Sequence, residues 1–372
     1  MTYNYGIYPP PAFQPDPEGM RQAENWLANK RKIRRLGNIF GVAVIAVTLL
    51  TELVSGLITG ITLFMRSSSD TATYRDFTRV WNGTEVQSII NIFYSAVVIG
   101  GTFLVVYLLN KSDPYARIPF LCPKPAGNVP IIIAGALSAC LAANLVTGLI
   151  DTFIFNSNGQ DVYNAVMPST PDTALGMVLY FVSVALLPPM IEEFALRGVV
   201  MQPLRRFGDG FAIVVSAFLF AALHSTPIQI VFAFAAGLFI GYATIITGSV
   251  WTGIIIHCLN NSVSVISAII IDTYGETSSE SVIFTYIYYA VIGVGAVATV
   301  SWFLRKKRVH LRKSPLVNSG PNAVSPPSPY VPVITNGSLY WVFFSSPGMI
   351  IAYFFIAWRL FETLLSLRLL GG

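Results

Sequence analysis

Apolar runs of bilayer length recur along the chain, set apart by short polar stretches. A membrane-spanning helix needs roughly 20 predominantly apolar residues. The runs predict helices over 37–65, 88–109, 130–155, 174–196, 211–224, 228–247, 251–271 and 284–304. The fifth is short and passes into the sixth through Ser225, Thr226 and Pro227. The polar stretches sort by charge. Lys30, Arg31, Lys32, Arg34 and Arg35 precede the first run, and Lys111, Arg117 and Lys124 stand against Asp113 in 110–129. Arg205 and Arg206 mark a further turn, and Arg305 to Arg308 follow the eighth run. The stretches 156–172, with Asp161 and Asp172, and 272–283, with Asp272, Glu276 and Glu280, are acidic. Basic loops mark the cytoplasmic side. The expectation is eight spans with both ends inside, in the plasma membrane, the N-terminus cytoplasmic. The first run is too long for a secretory h-region, so no signal peptide is expected.

Outside the runs the pattern changes. Residues 1–20, with Pro9 to Pro11, Pro15 and Pro17, read as a disordered tail. Residues 314–337 are rich in Ser, Pro, Asn and Gly and predict a linker near polyproline geometry. Residues 339–358 are apolar again, and 359–370 carry Arg359, Glu362 and Arg368. That last segment reads as a ninth span or as a helix lying in the interface. Composition agrees. Hydrophobic residues are 54% and charged residues 11%, against about 25% charged in soluble domains, too few to cover a soluble surface. The expected fold class is all-α, a polytopic membrane helix bundle of about eight transmembrane helices. The net charge is +5, but the basic residues are gathered beside apolar runs as topology signals. The expected partner is therefore the lipid bilayer, with no nucleic acid. Cys122, Cys140 and Cys258 have no metal or redox spacing.

Polar groups inside a bilayer are costly and mark function by default. Glu192 and Glu193 lie in the fourth run, and Arg197 follows Glu193 by four residues. That spacing, acid first, favours an ion pair on one helix face. Glu192 is left without a partner in its own helix, as a general base would be. His224 ends the run Phe220 to His224, and His257 is followed four residues later by Asn261. Pro188 and Pro189 predict a kink just before the glutamates. Counting about 1.5 Å per residue from the nearest turns sets Glu192 and His224 at similar depth, in a site reached from the cytoplasm. Ala233, Gly237 and Gly241, four residues apart, read as a packing seam.

These residues resemble three motifs, EExxxR, FxxxH and HxxxN, of the CPBP family, the CAAX prenyl protease type II and bacteriocin-processing (ABI-like) intramembrane endopeptidases. The resemblance covers 174–266. It implies that Glu192 activates a water, that His224 positions it, and that His257 and Asn261 stabilise the oxyanion. Glu193 and Arg197, with Phe220, would support the helix geometry. It also implies a substrate that is a membrane-associated or prenylated, CAAX-type peptide or lipidated protein. No metal is favoured, because HExxH is absent; zinc, if used, would take Glu192, His224 and His257. The chain then divides into a cytoplasmic, partly disordered tail (1–35), N-terminal transmembrane helices (36–170) and a CAAX-protease-like core (171–271). A last core helix with its basic end (272–313), the linker (314–337) and an apolar C-terminal segment (338–372) follow. Two other functions fit the same residues: a catalytically silent scaffold or immunity protein of this fold, and an ion- or proton-coupled transporter.

Overall fold

The computed structural model describes residues 17–155, 170–305, 311–320, 323 and 331–370. Among these the chain is helical and contains no strand. The helices are α1 (Pro17–Ser68), α2 (Thr71–Trp81), α3 (Thr84–Asn110), α4 (Ala126–Phe153), α5 (Ala174–Phe207) and α6 (Asp209–Ala222). They continue with α7 (Pro227–Thr247), α8 (Val250–Tyr274), α9 (Ser279–Arg305), α10 (Asn336–Phe344) and α11 (Pro347–Leu370). Eight of these helices are long and apolar enough to cross a membrane, and together they form an all-α polytopic bundle. Their outward side chains, such as Leu57, Leu109, Val178 and Val294, are exposed and apolar, a surface that only lipid covers at this density.

The expected helices recur with two corrections. The segment 211–224 is not a span. Helix α6 has 14 residues, about 21 Å. It ends where Thr226 caps the next helix, accepting from the Gln229 N–H, and Pro227 opens that helix. The turn at 223–226 therefore lies inside the bundle. The eighth membrane-length helix is instead α11. Its start lies against α1, where the Gly348 N–H donates to Asn38 (2.9 Å). Farther along, Arg359 donates to the Leu223 carbonyl (3.2 Å). The segment is thus packed into the bundle and does not lie in the interface.

The linker expectation is corrected as well. Val317 and Ile334 are buried in the main core. The Asn318 N–H donates to the Ile334 carbonyl (3.1 Å), and its side-chain carbonyl accepts from the Ile334 N–H (2.6 Å). The described parts of 314–337 are a folded cover packed on the core. Of the expected tail, 17–20 belong to α1, and 1–16 lie outside the described residues.

The polar loops segregate as their charges require. At one end Arg206 pairs with Asp113. There the Lys124 N–H donates to the Thr247 carbonyl (2.9 Å), and the Val250 N–H donates to Pro119 (3.1 Å). The Arg312 N–H donates to the Asp209 carboxylate at the same end (3.0 Å). At the opposite end Thr173 donates to Glu85 (2.5 Å) and Thr170 to Asp272.

Candidate active site

Pro188 and Pro189 shape the helix that carries the glutamates. Helix α5 widens into π-helical turns at Val182–Leu186 and again at Phe194–Val200. In π register each N–H reaches back five residues. The two prolines have no N–H, so the carbonyls of Ser183 and Val184 lose their helical partners. Side chains from other helices take both. Asn91 on α3 donates to the Ser183 carbonyl (2.8 Å), and Asn261 on α8 donates to the Val184 carbonyl (3.0 Å). The prolines thus produce a wide turn with tertiary partners, just before Glu192 and Glu193.

Glu193 and Arg197 form the expected ion pair, at 2.9 Å with both side chains fully buried. Arg197 also donates to the Gly237 carbonyl (3.2 Å) and lies over the Phe220 ring, 4.9 Å from its centroid. The 233–241 stripe is the seam it was expected to be, since a Cβ on Gly237 would stand 3.0 Å from Ala217 on α6. The same close approach brings the Gly237 carbonyl to the guanidinium.

His257 joins the two glutamates. Its Nδ1 lies 3.0 Å from the Glu193 oxygen that Arg197 also holds. A carboxylate only accepts, so Nδ1 donates. The opposite nitrogen, Nε2, then faces Glu192 at 3.7 Å. That gap is too long for a direct hydrogen bond, yet one water could touch both groups. His224 is held differently. Its Nδ1 donates to the Phe220 carbonyl (3.0 Å), which leaves Nε2 as an acceptor. The Phe220 ring meets both imidazoles edge-on, at 5.1 and 5.5 Å. One aromatic ring thus spaces the two histidines and carries the buried cation.

Glu192, His224, His257 and Asn261 all line a single cavity of about 780 Å³, within the range of small-ligand and cofactor sites. Among the described residues, no side chain of the basic loops lines the cavity. Its wall continues along Thr51 to Ile58 of α1 and includes Asn82, Thr84 and Gln87, where α2 meets α3. Depth counted from the nearest turns measured only how far the residues lay from the basic face. It could not register that α6, α7 and the lower part of α5 are packed solid between that face and the site, with Val200, Met201 and Leu204 fully buried.

Gly253 and Arg359 received no role from the sequence reading, and Asn260 entered it only beside Asn261, as part of the resemblance. Asn260 is buried with its side-chain oxygen unpartnered and lines the cavity. Gly253 leaves room for Glu193, whose Oε2 would be 2.7 Å from an added Cβ. Arg359 holds the turn before His224. A cation within an apolar helix was the one available signal for Arg359; Gly253 gave none. For zinc, Glu192, His224 and His257 are not gathered as a ligand set. Among the described residues no three His, Cys, Asp or Glu side chains gather as a metal site requires, and no step is routed through a metal.

A family model described as type II CAAX prenyl endopeptidase Rce1-like matches residues 174–263. The match bears out the resemblance read from the three motifs. It begins at the first residue of α5 and ends within α8, and so contains every motif residue. The matched segment is similar to that family, and the eight apolar helices are those of an integral, multi-pass membrane protein. No curated protein and no solved structure matches the chain.

Proposed function

We propose, from the premise that residues 174–263 form a type II CAAX prenyl endopeptidase-like core, that this protein is an intramembrane endopeptidase using Glu192 as its base. Glu192 takes a proton from a water in the cavity while His224 Nε2 accepts a hydrogen bond from the same water. The hydroxide oxygen bonds to the scissile carbonyl carbon, and the C=O electron pair moves onto oxygen. With Nδ1 tied to Glu193, His257 presents Nε2 to the reacting atoms and, protonated there, donates to the oxyanion. Asn261 adds the amide hydrogen that Val184 does not use. Glu192 then passes its proton to the leaving nitrogen, the C–N bond breaks, and an acid and an amine result. Glu193 and Arg197 are positioning residues, and the basic loops, with the N-terminus, lie in the cytoplasm.

The observation that carries this reading is the facing pair, Glu192 across 3.7 Å from a histidine whose other nitrogen is held by a second glutamate. The test compares neo-termini in membranes from cells expressing wild type or Glu192→Gln at matched levels, with a chelator-treated wild-type arm. Termini that disappear in the variant and persist under chelator are expected. Equal termini, with both proteins inserted and folded, would overturn the reading and leave a scaffold of this fold.

A further inference from the structure

Lys30, Arg31, Lys32, Arg34 and Arg35 stand within two turns of α1, just before its apolar run. The helical period divides them. Lys32 is on the side of Asp113, on whose carboxylate its charge acts. Lys30 and Arg34, four residues apart, share the other face with Trp26, and the three line a groove of about 560 Å³ against α10. Gly337, Ser338 and Trp341 stand on the facing wall.

The groove lacks a negative charge. Among the described residues neither Lys30 nor Arg34 has an ion pair, and the acids of this end are engaged elsewhere: Glu18 with Arg21, Asp113 with Arg206, and Asp209 with Arg205 and Arg312. Glu24 lies on the face of Arg31, two turns before it. The segment that faces the two cations, 305–345, carries no Asp or Glu at any position. The counter-charge therefore comes from outside this part of the chain.

Depth names the source. Arg34 precedes Gly37 by three residues, about 4.5 Å along the helix. A Cβ on Gly37 would stand 2.7 Å from the Phe343 carbonyl and 2.4 Å from Ser346 Oγ, at the α10–α11 junction, so the apolar runs of α1 and α11 begin at one level. The groove lies just outside that level, where a bilayer places its headgroups. Trp341 is 74% exposed there, as an interface anchor is. Thr335 takes the Ser338 N–H (3.2 Å), and the Gly337 N–H remains a first-turn donor on the groove wall.

We propose that this groove binds the phosphate headgroup of an anionic phospholipid in the leaflet at the basic end. Lys30 and Arg34 neutralise the phosphate, and the Gly337 N–H donates to it. Trp26 and Trp341 cover the glycerol and the first chain carbons, an apolar surface for which a free phosphate has no use. A zwitterionic headgroup brings a cation of its own to Lys30 and Arg34 and is disfavoured. The bound lipid joins α1 to α10.

Native mass spectrometry of the delipidated full chain tests it, with phosphatidylglycerol or phosphatidylcholine titrated in and inorganic phosphate as competitor. Wild type is compared with Lys30→Gln/Arg34→Gln and with Arg31→Gln/Arg35→Gln, which removes equal charge from another face. Trp341→Ala keeps every charge and decides the matter if the first variant fails to insert. Phosphatidylglycerol is expected to bind wild type more tightly than phosphatidylcholine does. Its affinity should fall roughly 30-fold in Lys30→Gln/Arg34→Gln, the worth of two cations beside an anionic surface, and several-fold in Trp341→Ala. It should stay near wild type in Arg31→Gln/Arg35→Gln. Equal loss in both double variants would reduce the groove to diffuse attraction and overturn the proposal. So would equal affinity for the two lipids, or wild-type affinity in Trp341→Ala. Displacement of phosphatidylglycerol by millimolar inorganic phosphate would overturn it in favour of a free-anion site.

Discussion

The two neighbouring glutamates differ by burial and by partner. Glu193 is fully enclosed and shares one oxygen between Arg197 and His257, whereas Glu192 faces the cavity and has its nearest ionic partner 3.7 Å away. Replacing one member of a buried pair strands the other charge, at a cost of about 3–5 kcal/mol. Glu193→Gln is therefore expected to lower the unfolding temperature sharply in detergent. Glu192→Gln should keep the wild-type unfolding temperature and lose about 10²- to 10⁴-fold in turnover, the worth of a general base. Thermal melts and cleavage rates on the same preparations separate the two. Gly253→Ala should resemble the Glu193 variant in milder form, because its methyl would press on Glu193 Oε2 and Thr244 Oγ1. The motif residues were legible because an acid or an imidazole in an apolar run is conspicuous, and the helical period shows which of them share a face. Asn91 and Gly253 were not. An amide or a glycine in a span has many ordinary uses, and what gives these meaning is a partner 92 residues away for Asn91 and the Glu193 carboxylate, from another helix, for Gly253.

Among the helices, α5 and α11 show how distant segments complete the site. The double proline frees two carbonyls, and two helices supply the donors. Asn91→Ala leaves the Ser183 carbonyl unpaired and should cost about 1–3 kcal/mol, read from the same melts. Arg359 on α11 reaches the Leu223 carbonyl beside His224. Arg359→Met keeps the length and apolarity of that side chain but removes the donor. It is expected to reduce turnover several-fold with a small change in stability, and Arg359→Lys should restore part of it. An equal rate for Arg359→Met would show that the turn holds its geometry unaided. Hydropathy found the body of every long helix but could not decide α11. An apolar segment bearing Arg359 and Glu362 fits both a span and an interfacial helix until its neighbours are known. It registered that α6 is short but not that α6 stops inside the bundle, for a related reason. A run of apolar residues records burial, and burial in protein or in lipid looks alike in sequence.

Across the whole molecule the loops lock the basic end. Partial burial works to raise the pKa of Asp113. The hydrogen bonds from Arg206 and from the Tyr115 N–H, with the charges of Arg206 and Lys32, outweigh it and hold the carboxyl below its usual range. A lowered folded value means that this contact stabilises the fold above the ordinary Asp pKa of about 3.9 and ceases to do so as pH falls through the lowered value. Melting temperature followed in acid should therefore fall less steeply for Asp113→Asn than for wild type. Charge sorting of the loops was readable from sequence, yet the packing between the site and the basic end, with Val200, Met201 and Leu204 buried, was not, because spacing along helices gives depth and not what fills the space around them. The blind cavity has an electrical consequence. A hollow that admits water stays near the potential of the face it opens to. The membrane voltage then falls mainly across the closed part, roughly the 21 Å length of α6, and not across the full bilayer. Each elementary charge moved through that drop exchanges about 2.3 kcal/mol per 100 mV. The Glu193–Arg197 pair stands at the edge of this concentrated field, with its dipole fixed by Gly237, Phe220 and His257.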